Sequence, residues 1–148
     1  SGQDQAFRQV SSTAALYSPE VLGLATGLAA VPLDDALPLR GSARSPLCGS
    51  TIEIGLDTDA EGAIARIGMK VHACAIGQAS AALFARGAAG RDRTAIAAAL
   101  ADLEAWLNNA DAALPDWPGL VVIAPARSYP ARHGAILLPW KAALAALP

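Results

Sequence analysis

Alternation of apolar and polar residues is clearest in Thr51-Ile52-Glu53-Ile54-Gly55-Leu56, where Ile52, Ile54 and Leu56 fall on one side of an extended chain. Ala65, Ile67, Met69 and Val71 repeat the period of two. Between them, Asp57 to Gly62 is rich in the Asp, Thr, Glu and Gly residues that suit a tight reversal. The pattern predicts an antiparallel hairpin with one buried and one wet face. Upstream, Pro19-Glu20 opens a segment in which Val21, Leu22, Leu24 and Ala25 share a helical face. Proline suits the first turn of such a helix, glutamate suits its positive end, and Gly27 is placed to weaken or end it. Prolines and glycines then interrupt the chain from Leu33 to Pro46 too often for a helix, leaving Ala36 to Arg44 as a stretch that can include a strand.

After the hairpin the period lengthens. Ile76, Ala79, Leu83 and Phe84 recur at helical spacing between Ala73 and Arg86, with Gly87 placed to stop the helix. A second helix is predicted from about Asp92, with Ile96, Leu100, Leu103 and Leu107 inward, Asp92, Arg93, Asp102 and Glu104 outward, and Asn108-Asn109 at its close. Pro115, Pro118, Pro125 and Pro130 surround the apolar run Leu120 to Ile123, which reads as a loop holding a short buried segment. Ala135 to Leu147 is expected to be an apolar helix interrupted near its start by Pro139.

Length and composition narrow the picture. The chain has 148 residues, 53% of them hydrophobic, which is enough for one core in one domain. We expect a leader over residues 1–15 and a single domain over 16–148. A net charge of −2 and the scattered placement of 11 basic residues offer no stripe for a nucleic-acid backbone or an anionic membrane, so neither partner is expected. The apolar stretch Val21 to Leu33 is broken by glycine and proline and lacks a basic flank, so it reads as neither signal peptide nor membrane span. With only two cysteines and no sign of export, reduced thiols in the cytoplasm are the expectation. There is no HExxH, no CxxC and no glycine-rich phosphate loop, and Ser80 has no histidine or acid at a recognisable distance, so hydrolase, nucleotide-binding and dithiol redox readings have no support.

The chemistry that remains lies in the cysteines. Cys48 precedes the first hairpin strand and Cys74 follows the second, so antiparallel pairing carries both to the same end of the sheet. Cys74 is also expected in the first turn of a helix, where unpaired N–H groups and the helix dipole favour the thiolate that binds metal or attacks sulfur. The bland alternative is a pair of small buried hydrophobes, and the hairpin geometry brings the two readings level. His72 shares a face with Cys74 if the chain stays extended, and His133 opens the last helix; either imidazole could complete a site for zinc or iron, though a capping or surface role is the commoner one. Arg127 and Arg132 flank Tyr129 and could grip an acidic partner, solvated arginines being the ordinary case.

Pro46-Leu47-Cys48-Gly49, the hairpin, and Cys74-Ala75-Ile76-Gly77-Gln78-Ala79-Ser80 resemble the IscU/SufU/NifU N-terminal scaffold family over roughly residues 16 to 146. The segment from Arg132 to Trp140 and the long interval before it are similar to the SufU type. The resemblance implies an α+β fold, an antiparallel three-stranded sheet with helices packed on one face. It implies an iron–sulfur cluster assembly scaffold or carrier rather than an enzyme, binding iron, a [2Fe–2S] cluster or zinc. Its partners would be a cysteine desulfurase and recipient apo-proteins. Cys48 and Cys74 would be sulfur acceptors and metal ligands, joined by His133 if the family's histidine-cysteine pair guides the alignment. Two positions depart from the family. Ser50 stands where an aspartate is usual, and Gly134 or Ala135 stands where the third cysteine belongs, so two ligands are missing. A degenerate binding module on the same fold and a sulfurtransferase-like protein are the competing implications.

Overall fold

The computed structural model describes residues 16–148, and the leader expected over residues 1–15 lies outside the described residues. Helix α1 (Pro19–Gly27) begins as its sequence predicts, with proline in the first turn and the Ser18 side chain accepting the Val21 N–H at 3.2 Å. A short 3₁₀ turn, Leu28–Ala30, follows it. Strands β1 (Leu39–Arg44), β2 (Thr51–Thr58) and β3 (Ile64–His72) form one antiparallel sheet with β2 in the centre. The β2–β3 reversal is shorter than the composition suggested, because the strands run on to Thr58 and Ile64 through an irregularity at Asp57 and Thr58. Asp59 organises the reversal, its Oδ1 accepting the Glu61 and Ala63 N–H groups at 2.9 Å, and Gly62 supplies the left-handed conformation at φ 84°.

Ile52, Ile54 and Leu56 are buried as the alternation predicts, opposite Val71, Met69 and Ile67 in the register. On this inner face lie α2 (Ala75–Gly87) and α4 (Pro130–Ala146), and α3 (Arg93–Asn108, with Asp92 accepting the Ala95 N–H as its cap) packs against α4. Helix α4 crosses β1 and β2 and wedges between α2 and α3, so it is the spine of the core. Its approach to β1 depends on Gly41. A Cβ there would fall 2.6 Å from the Ala146 nitrogen, so the α4 backbone lies directly on the strand. Phe84, Trp117 and Trp140 pack together behind it, and Trp117 Nε1 donates to the Leu83 carbonyl at 2.9 Å.

Helix α4 starts at Pro130, five residues before the expected Ala135, because proline is as well placed to open a helix as to interrupt one. Pro139 stays inside it and has no N–H to offer the Ala135 carbonyl. The next carbonyl along, that of Ile136, accepts a hydrogen bond from the fully buried Ser80 hydroxyl at 2.7 Å, which ties α2 to α4. The segment around Leu120 to Ile123 is a 3₁₀ helix, Leu120–Ser128, where a loop was expected. Leu120 and Ile123 share the buried side three residues apart, as the eclipsed 3₁₀ spacing allows.

The outer face of the sheet is covered at one end only. Gly55 and Gly68 are paired across β2 and β3, and their missing side chains leave a trough for Leu37 and, over Gly55, Leu33. The same segment runs beside β3, where the Val31 carbonyl accepts the Met69 N–H at 3.0 Å and Pro32 bridges Met69. The opposite end of the outer face stays open.

Candidate functional site

That open end is where three chain segments meet. The last row of the ladder is Arg44–Thr51–His72, so the β1–β2 turn and the β3–α2 junction leave the sheet together. The turn is closed by its own backbone: Ser45 N–H donates to the Ser50 carbonyl and Gly49 N–H to the Ser45 carbonyl, each at 2.9 Å. Gly49 adopts φ 71°, which glycine accepts without strain. Cys48 stands exposed in this turn and Leu47 beside it is 86% exposed. Cys74 is half-buried and is the N-cap of α2, one position before the first turn in which it was expected, and its side chain makes no capping bond.

The third segment is the first part of α4. Gly134 faces Ser45: a Cβ on Gly134 would land on the Ser45 hydroxyl and 3.1 Å from the Ser45 Cβ. Ala135 faces the other way, 3.1 Å from where a Cβ on Gly77 would lie, in the first turn of α2 beside Ala73. The two candidate positions for a third cysteine thus look at different neighbours, one at the Cys48 turn and one at the Cys74 helix.

Cys48 Sγ lies 3.1 Å from the Ser50 hydroxyl, the thiol donating in its neutral form. Partial burial works to raise the Cys48 pKa, but hydrogen bonds from the Ser45 and Ser50 side chains and the Ser50 and Cys48 N–H groups outweigh it. The thiol is held below its ordinary value. Ser45 was passed over in the sequence. The signal was a hydroxyl three residues before a cysteine in a turn short enough to bring them together.

The histidines separate. His72 ends β3 on the exposed outer face. His133 Nε2 lies 2.7 Å from the Arg127 carbonyl, which only accepts, so Nε2 carries the proton and donates. Among the described residues, no three His, Cys, Asp or Glu side chains gather closely enough to hold a metal ion. His133 therefore does not join both cysteines in a three-ligand group. The two arginines around Tyr129 differ in how far their donors are engaged. Arg127 Nε donates to the Trp106 carbonyl at 2.7 Å and its Nη2 to the Asn109 and Ala112 carbonyls, while Arg132 donates to the Tyr17 hydroxyl at 3.1 Å.

Iron and zinc favour four donors when thiolate-bound. The chain brings two thiols to this end of the sheet, has hydroxyls at Ser45 and Ser50, and offers no side-chain donor at Gly134 or Ala135. These residues do not make a complete metal or cluster site. Beside them on the outer face is an open groove of about 490 Å³ lined by Arg44, Lys70, His72 and Glu53. Among the described residues, neither Arg44 nor Lys70 has an ion-pair partner, and no helix is long and apolar enough to cross a membrane.

No protein-family model matches the chain, and none of the curated proteins does. Solved structures do match. A nitrogen-fixing NifU-like protein (N-terminal) from Brucella abortus aligns with a TM-score of 0.76 at 26% sequence identity, over 91% of this chain and 94% of that one. A protein assigned as an iron–sulfur cluster assembly scaffold for the SUF system, from thermophilic Fervidobacterium islandicum AW-1, aligns with a TM-score of 0.78 at 18% identity, over 91% and 98%. The chain has the α+β scaffold fold of these NifU-like and SufU structures, as its cysteine motifs implied.

Proposed function

We propose that the protein is a scaffold-like carrier in iron–sulfur cluster assembly that accepts sulfur on Cys48 and Cys74 from a cysteine desulfurase and hands it to recipient apo-proteins. The observation that carries the reading is the meeting of the two cysteine motifs at one sheet end, on a fold shared with assembly scaffolds. The exposed Cys48, with Leu47 beside it and Arg44 and Lys70, without ion-pair partners among the described residues, on the adjoining face, supports a protein partner that brings its reacting group to this edge. Iron, a [2Fe–2S] cluster or zinc would be cargo held by Cys48 and Cys74, with the remaining ligands coming from outside the chain. His133 would have to give up its bond to Arg127 to serve as one of them.

Incubation with a cysteine desulfurase and cysteine, followed by intact-mass and peptide mass spectrometry, tests the acceptor role. The expected product is the chain carrying one additional sulfur atom on Cys48 or Cys74. A chain that gains none while a known acceptor in the same mixture is loaded would refute it. Anaerobic incubation with iron and sulfide tests the cargo: visible absorption with bound iron supports it, and a colourless, iron-free protein with both thiols intact counts against it.

The incomplete donor set favours a second reading, a partner-binding module that does no cluster chemistry. It predicts that the Cys48→Ser, Cys74→Ser double variant still binds the assembly machinery with wild-type affinity. Loss of that binding would rule it out.

A further inference from the structure

We propose that the open end of the outer sheet face docks an acidic, extended segment of a protein partner, held between Arg44 on β1 and Lys70 on β3. The proposal rests on the reading of this end as the place where a partner arrives, and deepens it by naming the chemistry of the surface that partner presents.

The cations of the outer face fall into two groups, those that the chain itself uses and those that it does not. Arg66 stands opposite Asp57 in the register and pairs with it at 3.0 Å. Arg40 is spent on the segment that covers the far end, its Nε donating to the Leu37 carbonyl at 2.9 Å and its Nη2 to the Asp34 carbonyl at 2.6 Å. Arg44 and Lys70 are left. Lys70 faces Glu53 directly across the ladder, the same relation as Arg66 to Asp57, yet no ion pair joins them. The last two rows of the ladder thus carry a cation on each outer strand, and among the described residues nothing neutralises either one.

Arg44 and Lys70 stand on either side of β2. Their strands lie about 10 Å apart and their rows about 7 Å apart. Between them the groove of about 490 Å³ is floored by Thr51 and Glu53, with His72 at its corner. A trough open along the sheet suits a chain that lies in it better than a small molecule, which gains affinity by being enclosed.

The charge pattern selects among anions. The chain carries a net charge of −2, and the far end of the same face holds Asp34 and Asp35, with Glu61 in the β2–β3 reversal. A nucleic-acid strand or an anionic membrane brings charge at every step and would meet these carboxylates as well as Glu53. Side chains of an extended polypeptide alternate, so carboxylates can reach Arg44 and Lys70 while a neutral residue sits over Glu53. Leu47, 86% exposed in the turn that follows Arg44, gives the same partner an apolar contact beside the polar ones.

The test is a titration of the isotope-labelled full chain with an end-blocked peptide of alternating glutamate and threonine, followed through the backbone amide signals by NMR. Shifts are expected at Arg44, Thr51, Lys70 and His72, and they should fade as ionic strength rises past about 0.1 M, where screening acts within about 10 Å. The matched peptide with glutamine for glutamate should leave them unmoved. Arg44→Glu combined with Lys70→Glu should weaken the acidic peptide about tenfold or more, because two exposed attractions become repulsions. The charge-matched pair Arg86→Glu with Lys141→Glu, exposed on α2 and α4, should change it by less than about twofold. Glu53→Gln, close in shape, should tighten it about threefold, and it keeps the proposal open to refutation if circular dichroism shows that the double reversal does not fold. No shifts at this end, equal binding of the glutamine peptide, or equal losses in the two double variants would overturn the proposal. Citrate or an oligothymidylate binding the same residues more tightly than the peptide would overturn it too, in favour of a small-anion or nucleic-acid site. Persulfide loading by a cysteine desulfurase separates this proposal from the acceptor role. Peptide binding with no loading of the wild type removes the acceptor role and leaves the groove, whereas full loading of both the wild type and the double reversal, with no peptide binding, removes the groove and leaves the acceptor.

Discussion

Ser80→Ala removes one hydroxyl from the seam between the helix that starts after Cys74 and the helix that carries Gly134 and Ala135. The wild-type oxygen is fully buried and donates to the Ile136 carbonyl at 2.7 Å. Alanine fills nearly the same space, so the loss is that of a buried acceptor's partner, about 1–3 kcal/mol. For a chain of this size that corresponds to a fall in Tm of roughly 2–4 °C for each kcal/mol. Urea unfolding followed by circular dichroism should show a lower midpoint with an unchanged slope. Pro139 sharpens the expectation, because it withholds an N–H from the neighbouring Ala135 carbonyl and loosens the helical ladder where Ser80 reaches in. Pro139→Ala gives that N–H back. In its background Ser80→Ala should cost less, with a coupling energy of about 0.5 kcal/mol or more. A Ser80→Ala change within about 0.5 kcal/mol of wild type would refute the tie. Strict additivity would refute only the link to the proline.

Two glycine substitutions should move stability in opposite directions. Gly41→Ala drives a methyl group into the α4 backbone and should cost about 2 kcal/mol or more, whereas Gly23→Ala, inside α1 with nothing within 4 Å, should gain about 0.5–1 kcal/mol; thermal melts decide both. Gly134→Cys alone should destabilise the protein by colliding with Ser45, and pairing it with Ser45→Gly should relieve the collision and tighten cobalt binding at least about tenfold, read from sulfur-to-cobalt absorption. Equal cobalt affinity in the wild type and the paired variant would show that residue 134 does not look into the thiol end. Because folding lowers the Cys48 pKa, its ionised form favours the folded state. That contribution is complete above the unfolded thiol value of about 8.5 and is lost as pH falls through the folded value. The wild type should therefore gain stability relative to Cys48→Ala as pH rises towards that range, and an opposite slope in denaturation midpoints would contradict the hydrogen-bonded thiolate.

The hairpin was legible because period-two burial leaves little choice: Ile52, Ile54 and Leu56 point inward in the structure as they do in the pattern. The helix from Asp92 was legible for the same reason, since its cap and its stripe are local signals. The 3₁₀ helix at Leu120–Ser128 was not, because Pro125 reads as a breaker in the pattern yet lies inside the helix. At the site, the placement of Cys48 and Cys74 followed from strand direction alone. What the sequence hid was where side chains point over long separations. His133 turns to the Arg127 carbonyl, Arg127 spends its donors on α3 and the turn after it, and Ser45 fills the space in front of Gly134. Such pairings depend on how α4 is seated, which no local pattern encodes.

The strap along β3 has a bearing on how the protein behaves when crowded. An edge strand with free N–H and C=O groups is a template on which other chains can add. Here the Val31 carbonyl takes the Met69 N–H, and Pro32, which has no N–H, occupies the next place along that edge. At Met69 that edge is thereby blocked to an added strand. The other edge, β1, carries Arg44 on its exposed side, a charge that repels a like edge. A small sheet with an open outer face is thus kept from stacking into ribbons, and its open end can stay exposed at high concentration without inviting strand-by-strand aggregation.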